Sequence, residues 1–216
     1  MDWLIFVITF GILFLGELGD KTQLIVFNLA LEHEKSYKVG IGATLGFAVI
    51  VTIGVFFGML ATSFIPLFIV VIISGIIFII IGLLDARHLK ELYQERKELK
   101  LNKEDETIIE NNLNIEPPSR FQKLRKNPYI AGFAFIFLME LGDKTQILTI
   151  TLASIYPYPF EVWLGAFLAL ILLAWMGVFF GAAIAHKTPK FHLKLVSSVI
   201  FIFIGVLILI TSLQYY

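Results

Sequence analysis

Two copies of one seven-residue motif contain most of the side chains in this sequence that could do chemistry. Residues 17–23 and 140–146 both read Glu-Leu-Gly-Asp-Lys-Thr-Gln. Each copy brings two carboxylates, one ammonium group and neutral side-chain oxygens together within about two helical turns. Carboxylate, hydroxyl and amide oxygens are hard ligands that suit Ca²⁺, Mg²⁺ or Mn²⁺. The chain has no Cys and neither motif contains His, which makes a site for Zn²⁺ or Cu²⁺ less favoured.

The acidic residues of the motifs are the candidate ligands, and the other polar residues form an auxiliary set. We predict metal ligation by Glu17, Asp20, Glu140 and Asp143. The auxiliary transport residues are Lys21, Thr22, Gln23, Lys144, Thr145 and Gln146. Crowded carboxylates without a metal are expected to take up protons, which suggests exchange of a cation for protons.

The lysines leave two interpretations open. On a continuous helix, Glu17, Asp20 and Lys21 share one face, so Glu17–Lys21 and Glu140–Lys144 could be structural ion pairs that lock the halves of the protein together. Alternatively, the two lysines neutralise the carboxylates as surrogate cations when no metal is bound. Gly19 and Gly142 would allow close approach of another helix, or local opening of the helix with carbonyl oxygens freed as ligands.

The elements that position these motifs are predicted to be membrane-spanning helices. Hydrophobic residues make up 58% of the 216 residues and charged residues only 16%, against roughly 25% charged in a soluble domain. Crossing a bilayer takes roughly 20 apolar residues. Six runs meet this length, at 3–31, 39–63, 66–85, 129–155, 160–186 and 191–213. This composition excludes a soluble cytosolic enzyme.

The sequence repeats itself at an offset of 123 residues, which aligns 14–84 with 137–207 without a gap. Each copy holds three spans, and because three is odd, the second copy must cross the membrane in the opposite sense to the first. Such inverted repeats are common in secondary transporters, with the substrate site near the midplane. The predicted fold is an all-α integral membrane protein of six transmembrane helices in a 3+3 arrangement. Residues 1–85 form the first three-helix repeat, 86–127 a charged linker and 128–216 the second repeat.

The distribution of positive charge predicts the orientation. The loops after spans one, three and five, together with the first turn of span six, hold 15 of the 17 Lys and Arg residues, and all three loops lie on one side of a six-span chain. Basic loops face the cytoplasm, so the central linker should be cytoplasmic and both termini should lie outside. The net charge is zero, and we predict contact with the lipid bilayer and none with nucleic acid.

The duplicated Glu-Leu-Gly-Asp-Lys-Thr motif within a 3+3 repeat resembles the GDT1 family of small cation exchangers, which includes Golgi and chloroplast manganese/calcium transporters and bacterial manganese exporters. The resemblance covers nearly all of the chain except the central linker. It implies export of Mn²⁺, with Ca²⁺ as a possible second substrate, in exchange for protons. It also implies that Glu17, Asp20, Glu140 and Asp143 are essential, that no resident cofactor is bound, and that the location is a bacterial or archaeal cell membrane.

The sequence is also compatible with other functions. An acidic membrane site also suits a small organic cation, so an exporter of basic amino acids is the competing transport function. An enzyme is disfavoured because the sequence shows no nucleophile–base arrangement, phosphate-binding glycine loop or soluble catalytic domain. Both a monomer and a homodimer are compatible with the sequence.

Overall fold

The computed structural model describes residues 2–101, 126–187 and 190–214. Within these ranges the chain is helical and contains no strand, which confirms the predicted all-α class. The helices are α1 (Trp3–Glu17), α2 (Lys21–Leu31), α3 (Ser36–Phe64), α4 (Leu67–Leu101), α5 (Pro128–Glu140), α6 (Lys144–Ile155), α7 (Pro159–Lys187) and α8 (Lys190–Gln214). Of the predicted linker, residues 86–101 continue α4 and 102–125 lie outside the described residues. The proposed three-part division stays a prediction.

Four helical segments in the described part of the chain are long and apolar enough to cross a membrane unaided. They are Ser36–Phe64, Leu67–Arg87, Pro159–Phe179 and Leu195–Ser212, with mean hydropathies of 2.2, 3.3, 2.3 and 2.7. Their outer faces carry exposed large apolar side chains such as Phe56, Ile69 and Phe203. Contiguous apolar surface on this scale is typical of a membrane-facing protein. The chain is therefore an integral membrane protein.

The predicted first and fourth spans are each broken into two helices, whereas the sequence suggested the continuous runs 3–31 and 129–155. α1 ends at Glu17 and α2 begins at Lys21, and α5 ends at Glu140 before α6 begins at Lys144. We call residues 18–20 the first break and 141–143 the second break. Gly19 and Gly142 have φ angles of 79° and 82°, in the left-handed region that glycine adopts without strain and that ends an α-helix.

Helices of each repeat pack mainly against helices of the other repeat. α3 of the first repeat lies along α5 and α6 of the second, and α7 of the second lies along α1 and α2 of the first. Glycines permit these close approaches: Gly42 faces the backbone of Tyr129, and Gly177 faces the backbone of Gln23. The third helices of the repeats, α4 and α8, pack against each other. This pattern is the one that a pseudo-twofold axis between the repeats generates.

The α4–α8 contact fixes the relative direction of the repeats. Gly75 packs against Gly205, the ring centroids of Phe78 and Phe201 are 6.1 Å apart, and further along α4 Gly82 lies against Ser198. Residue numbers rise along α4 while those of its partners fall along α8, so these equivalent helices are antiparallel. The two repeats are therefore inverted, as the sequence predicted. Their shared core includes Leu13, Phe47, Leu148, Leu170 and Phe201.

Candidate functional site

The helix ends that precede the two breaks bring two buried acidic side chains to one cavity. Glu17 is the last residue of α1 and is 4% exposed, and Glu140 is the last residue of α5 and is 1% exposed. Both line a cavity in which the centre of a water-sized sphere can occupy about 10 Å³. This volume has room for about one water molecule or ion. The remaining lining residues are Thr22, Gln23, Val26, Phe47, Leu170, Leu173 and Ala174.

Each break is held by the glutamine that follows it. The Gly142 N–H donates to Gln146 Oε1 at 2.7 Å, and the Gly19 N–H donates to Gln23 Oε1 at 3.3 Å. Gln23 Nε2 also donates to the Glu17 carbonyl oxygen at 3.3 Å. Backbone groups freed at membrane depth need such partners because no lipid group can supply them. In this structure the two glutamine side-chain oxygens, predicted as auxiliary ligands, stabilise the breaks.

The glutamate carboxylates have acceptor oxygens left over. Thr22 Oγ1 donates to Glu140 Oε1 at 2.8 Å, which joins the first repeat to the second. Among the described residues, Glu17 Oε1, Glu140 Oε2 and Thr145 Oγ1 are buried without a hydrogen-bond partner. The Thr145 hydroxyl lies beside both carboxylates. Buried polar atoms are nearly always satisfied in proteins, and an exception calls for an explanation such as an unseen ion.

Lys144 crosses from the second repeat to the acidic pair of the first. Its Nζ lies 3.0 Å from Asp20 Oδ2 and 3.8 Å from Glu17 Oε1, and it donates to the Gly16 carbonyl oxygen at 2.9 Å. On a continuous helix Lys144 would share one face with Glu140. This expectation is wrong, because the second break separates the two residues into different helices. The equivalent Lys21 begins α2, and its side chain lies outside the described part of the structure.

The two aspartates differ from each other. Asp20 is partly buried and bound to Lys144, whereas Asp143 is exposed and its Oδ1 accepts a hydrogen bond from the Lys144 backbone N–H at 2.8 Å. Asp143 therefore caps α6. In the described ranges, no three His, Cys, Asp or Glu side chains are close enough to hold one metal ion. The structure thus brings Glu17 and Glu140 to one cavity. Asp20 is joined to Glu17 through Lys144, and Asp143 lies at the exposed second break.

The sequence interpretation missed the buried acids Asp85 and Glu161, of which Asp85 interacts with the site. Asp85, on α4, is 8% exposed and accepts a hydrogen bond from Ser197 Oγ at 3.4 Å. Its negative charge also attracts Lys144. Asp85 could have been found from the sequence, because it is an acidic residue at the end of an apolar span. Acidic residues within membrane spans are usually functional. The adjoining charged linker obscured that signal by making Asp85 look like part of a solvated loop.

Comparison with known proteins connects this geometry to an activity. The sequence profile described as "Divalent cation/proton antiporter GDT1" matches residues 5–91 and 128–215, one stretch in each repeat. The chain belongs to the GDT1 family. Members of this family are transporters of divalent cations and protons, so the expected class of protein is confirmed as a cation transporter.

Similar proteins come from organisms as different as Schizosaccharomyces pombe and Synechocystis. A GDT1-like protein of Schizosaccharomyces pombe is 25% identical over 222 residues, covering 88% of this chain and 84% of its own length. A GDT1-like protein of Synechocystis is 27% identical over 195 residues, covering 86% of this chain and 87% of its own. A second GDT1-like protein of the same Schizosaccharomyces strain is 24% identical, covering 92% and 79%. No solved structure matches the chain.

Proposed function

We propose that this protein exports Mn²⁺ from the cytoplasm in exchange for protons, with Ca²⁺ as a second substrate. The observation that carries the proposal is the pair of buried carboxylates, Glu17 and Glu140, which line one ion-sized cavity and each have an oxygen with no hydrogen-bond partner among the described residues. These atoms come from the two inverted repeats, and transporters of this architecture bind substrate at such an interface.

The donor set explains the choice of ion. Glu17 and Glu140 supply the first carboxylate oxygens, Thr22 and Thr145 lie beside them, and Asp20 and Asp143 stand at the two breaks. A hard divalent cation matches this all-oxygen set. We propose that Asp20 and Asp143 join the ligands when a cation is bound, which requires a small rearrangement of each break. Preference for Mn²⁺ over Ca²⁺ is inferred from the family resemblance.

Exchange with protons follows from the location of the carboxylates. Buried charge in a membrane span costs at least about 2.5 kcal/mol, so Glu17 and Glu140 cannot both remain ionised without a counter-charge nearby. A divalent cation supplies that counter-charge when it is bound. After it leaves, the Lys144 ammonium group lies beside Glu17, and we propose that a proton neutralises Glu140, which accepts a hydrogen bond from the neutral Thr22 hydroxyl. Alternate occupation of the same oxygens couples the two fluxes. We propose no resident cofactor, since the metal ion is the substrate.

The direction of transport is part of the proposal. The basic loops support an orientation in which the turn between α2 and α3 and the central linker face the cytoplasm and the termini lie outside. Export therefore moves the cation from that side towards the N-terminus of α1. A bacterial or archaeal cell membrane is the proposed location.

An organic cation is a poorer match for the site. The cavity between Glu17 and Glu140 holds about one water molecule or ion, and the side chain of a basic amino acid would need several times that space. Apolar residues such as Phe47 and Leu170 close its remaining walls. We therefore favour a bare or partly hydrated metal ion as substrate.

The test is a pH jump in proteoliposomes loaded with Mn²⁺. An inward proton gradient should drive Mn²⁺ release from vesicles containing the wild-type protein and acidify their interior. Glu17→Gln and Glu140→Gln should each lower the initial rate more than about tenfold, the loss typical of a disrupted metal site. Glu34→Gln, an equivalent change at an exposed residue between α2 and α3, is the matched control. Release of Mn²⁺ at the wild-type rate by both site variants would contradict the proposal, as would counterflow by arginine in place of Mn²⁺.

A further inference from the structure

The Lys144 side chain makes its ammonium contacts with the first repeat and not with its own helix. Lys144 is the first residue of α6, where the helix dipole disfavours a positive charge. Its ammonium group instead reaches the first repeat, where it contacts Gly16, Glu17 and Asp20. These contacts offset the unfavourable placement. They also give the ammonium group a position among the oxygens that a transported cation is proposed to use.

The two glutamates have different surroundings. Glu17 faces the Lys144 ammonium at 3.8 Å, whereas Glu140 accepts a hydrogen bond from the neutral Thr22 hydroxyl at 2.8 Å. The acidic pair Glu17 and Asp20 therefore carries its own counter-charge in this conformation. A divalent cation that entered between Glu17 and Glu140 would lie within a few ångströms of the ammonium group, and the two like charges would repel each other strongly in a site shielded from water.

We propose that the Lys144 ammonium group is a tethered competitor of the transported cation: it occupies the Glu17–Asp20 side of the site when the site is empty and is displaced when a divalent cation binds. The inference rests on the proposed function and adds a positioning residue to it. Lys144 keeps its proton throughout, and only its location changes.

Displacement requires a short movement. Lys144 lies next to the second break, and its side chain is 17% exposed, so the ammonium group has a route away from Glu17 without crossing the core. Residues 141–143 beside it are exposed, so water can hydrate the displaced ammonium group. The 3.0 Å contact of Asp20 with Lys144 is then lost, so the ammonium group no longer competes with the cation for this carboxylate.

Equilibrium binding measures the competition directly. Full-length protein in detergent micelles is titrated with Mn²⁺ by isothermal titration calorimetry. Lys144→Gln removes the competing charge and should lower the apparent Kd by at least about tenfold, equivalent to about 1.4 kcal/mol. Lys144→Arg retains the charge and should bind with an affinity close to that of the wild type. Lys126→Gln, at an exposed position, controls for loss of a positive charge elsewhere. A folded Lys144→Gln variant with unchanged or weaker Mn²⁺ binding would overturn the inference.

A second measurement uses the wild-type protein, so that it does not depend on the folding of a variant. An amine-reactive reagent labels lysines, and mass spectrometry quantifies the labelling rate at Lys144 with and without Mn²⁺. Binding of Mn²⁺ should raise the rate at Lys144 several-fold and leave Lys126 unchanged. An unchanged or slower rate at Lys144 in Mn²⁺-bound protein contradicts displacement. If the wild type neither binds nor moves Mn²⁺ or Ca²⁺, the proposed function itself fails; if it does both and Lys144 shows neither effect, only this inference fails.

Discussion

Thr22 of the first repeat donates its hydroxyl proton to Glu140 Oε1 of the second at a distance of 2.8 Å. This hydrogen bond connects the N-terminal turn of α2 with the C-terminal residue of α5. It therefore joins the two repeats at the wall of the cavity, which both residues line. The carboxylate of Glu140 has one satisfied oxygen and one that is free of hydrogen bonds among the described residues.

Removal of the Thr22 hydroxyl should weaken both the fold and transport. Thr22→Val is similar in shape and leaves Glu140 Oε1 without its donor, which costs about 1–3 kcal/mol for a buried acceptor. We expect a lower thermal unfolding midpoint and slower Mn²⁺ release from proteoliposomes. Thr22→Ser keeps a hydroxyl group and should retain most of both properties. Equal behaviour of the Val and Ser variants would show that the hydrogen bond is unimportant.

Substitution of Gly142 tests the second break. Gly142→Ala forces a side chain into a backbone with φ of 82°, and since a Cβ there would meet no atom within 4 Å, the whole cost is conformational. We expect a loss of about 1–2 kcal/mol in the free energy of unfolding, together with reduced transport. Gly11→Ala is the control, because Gly11 lies inside α1 and also has open space around it. That change should stabilise the protein by about 0.5–1 kcal/mol. A neutral Gly142→Ala variant would mean that the break is not held in this conformation.

Substrate binding should stabilise the protein against heat. Mn²⁺ at a concentration of 100 Kd contributes about 2.7 kcal/mol by mass action, so the unfolding midpoint should rise with added Mn²⁺ and fall back when EDTA removes it. The Glu140→Gln variant should lose most of this rise, since it lacks one of the two cavity carboxylates. Differential scanning fluorimetry in detergent provides the measurement. A Mn²⁺-dependent rise of equal size in that variant would place the binding site elsewhere.

Cysteine labelling can determine the orientation because the natural sequence has no Cys. Ser63→Cys and Glu34→Cys each place one thiol at an exposed position, near the end of α3 and in the turn that precedes it. With a membrane-impermeant maleimide, we expect Ser63→Cys to react in intact cells and Glu34→Cys to react only after permeabilisation. The reverse pattern would invert the proposed topology and change the proposed export into import.

Much of the fold was accessible from the sequence because it depends on long-range regularities. Hydrophobic length predicted membrane spans, and the 123-residue offset with an odd number of spans predicted the inversion that the antiparallel α4 and α8 confirm. The duplicated motif in inverted repeats predicted one shared site near the midplane, and Glu17 and Glu140 line one cavity in the structure. Whether these residues are cation ligands is still a prediction.

The local geometry of the site was less predictable. Gly19 and Gly142 suggested an opening of the helix, but only their positive φ angles show that the chain breaks there. Helical spacing therefore gave the wrong partner for Lys144, which binds across the repeat interface to Asp20. The identical motifs also concealed an asymmetry: Asp143 is exposed while Asp20 is bound to Lys144, and two equal sequences cannot indicate which copy adopts which arrangement.

The packing of the first repeat against helices of the second has a consequence for biosynthesis. α1 packs against α7, which the ribosome makes more than a hundred residues later, so Glu17 is inserted before the helices that complete its surroundings exist. Until the second repeat is inserted, Glu17 and Asp20 lack the Lys144 ammonium group that contacts them in the complete protein. The C-terminal half therefore completes the assembly of the N-terminal half, and neither repeat expressed alone should form a stable protein.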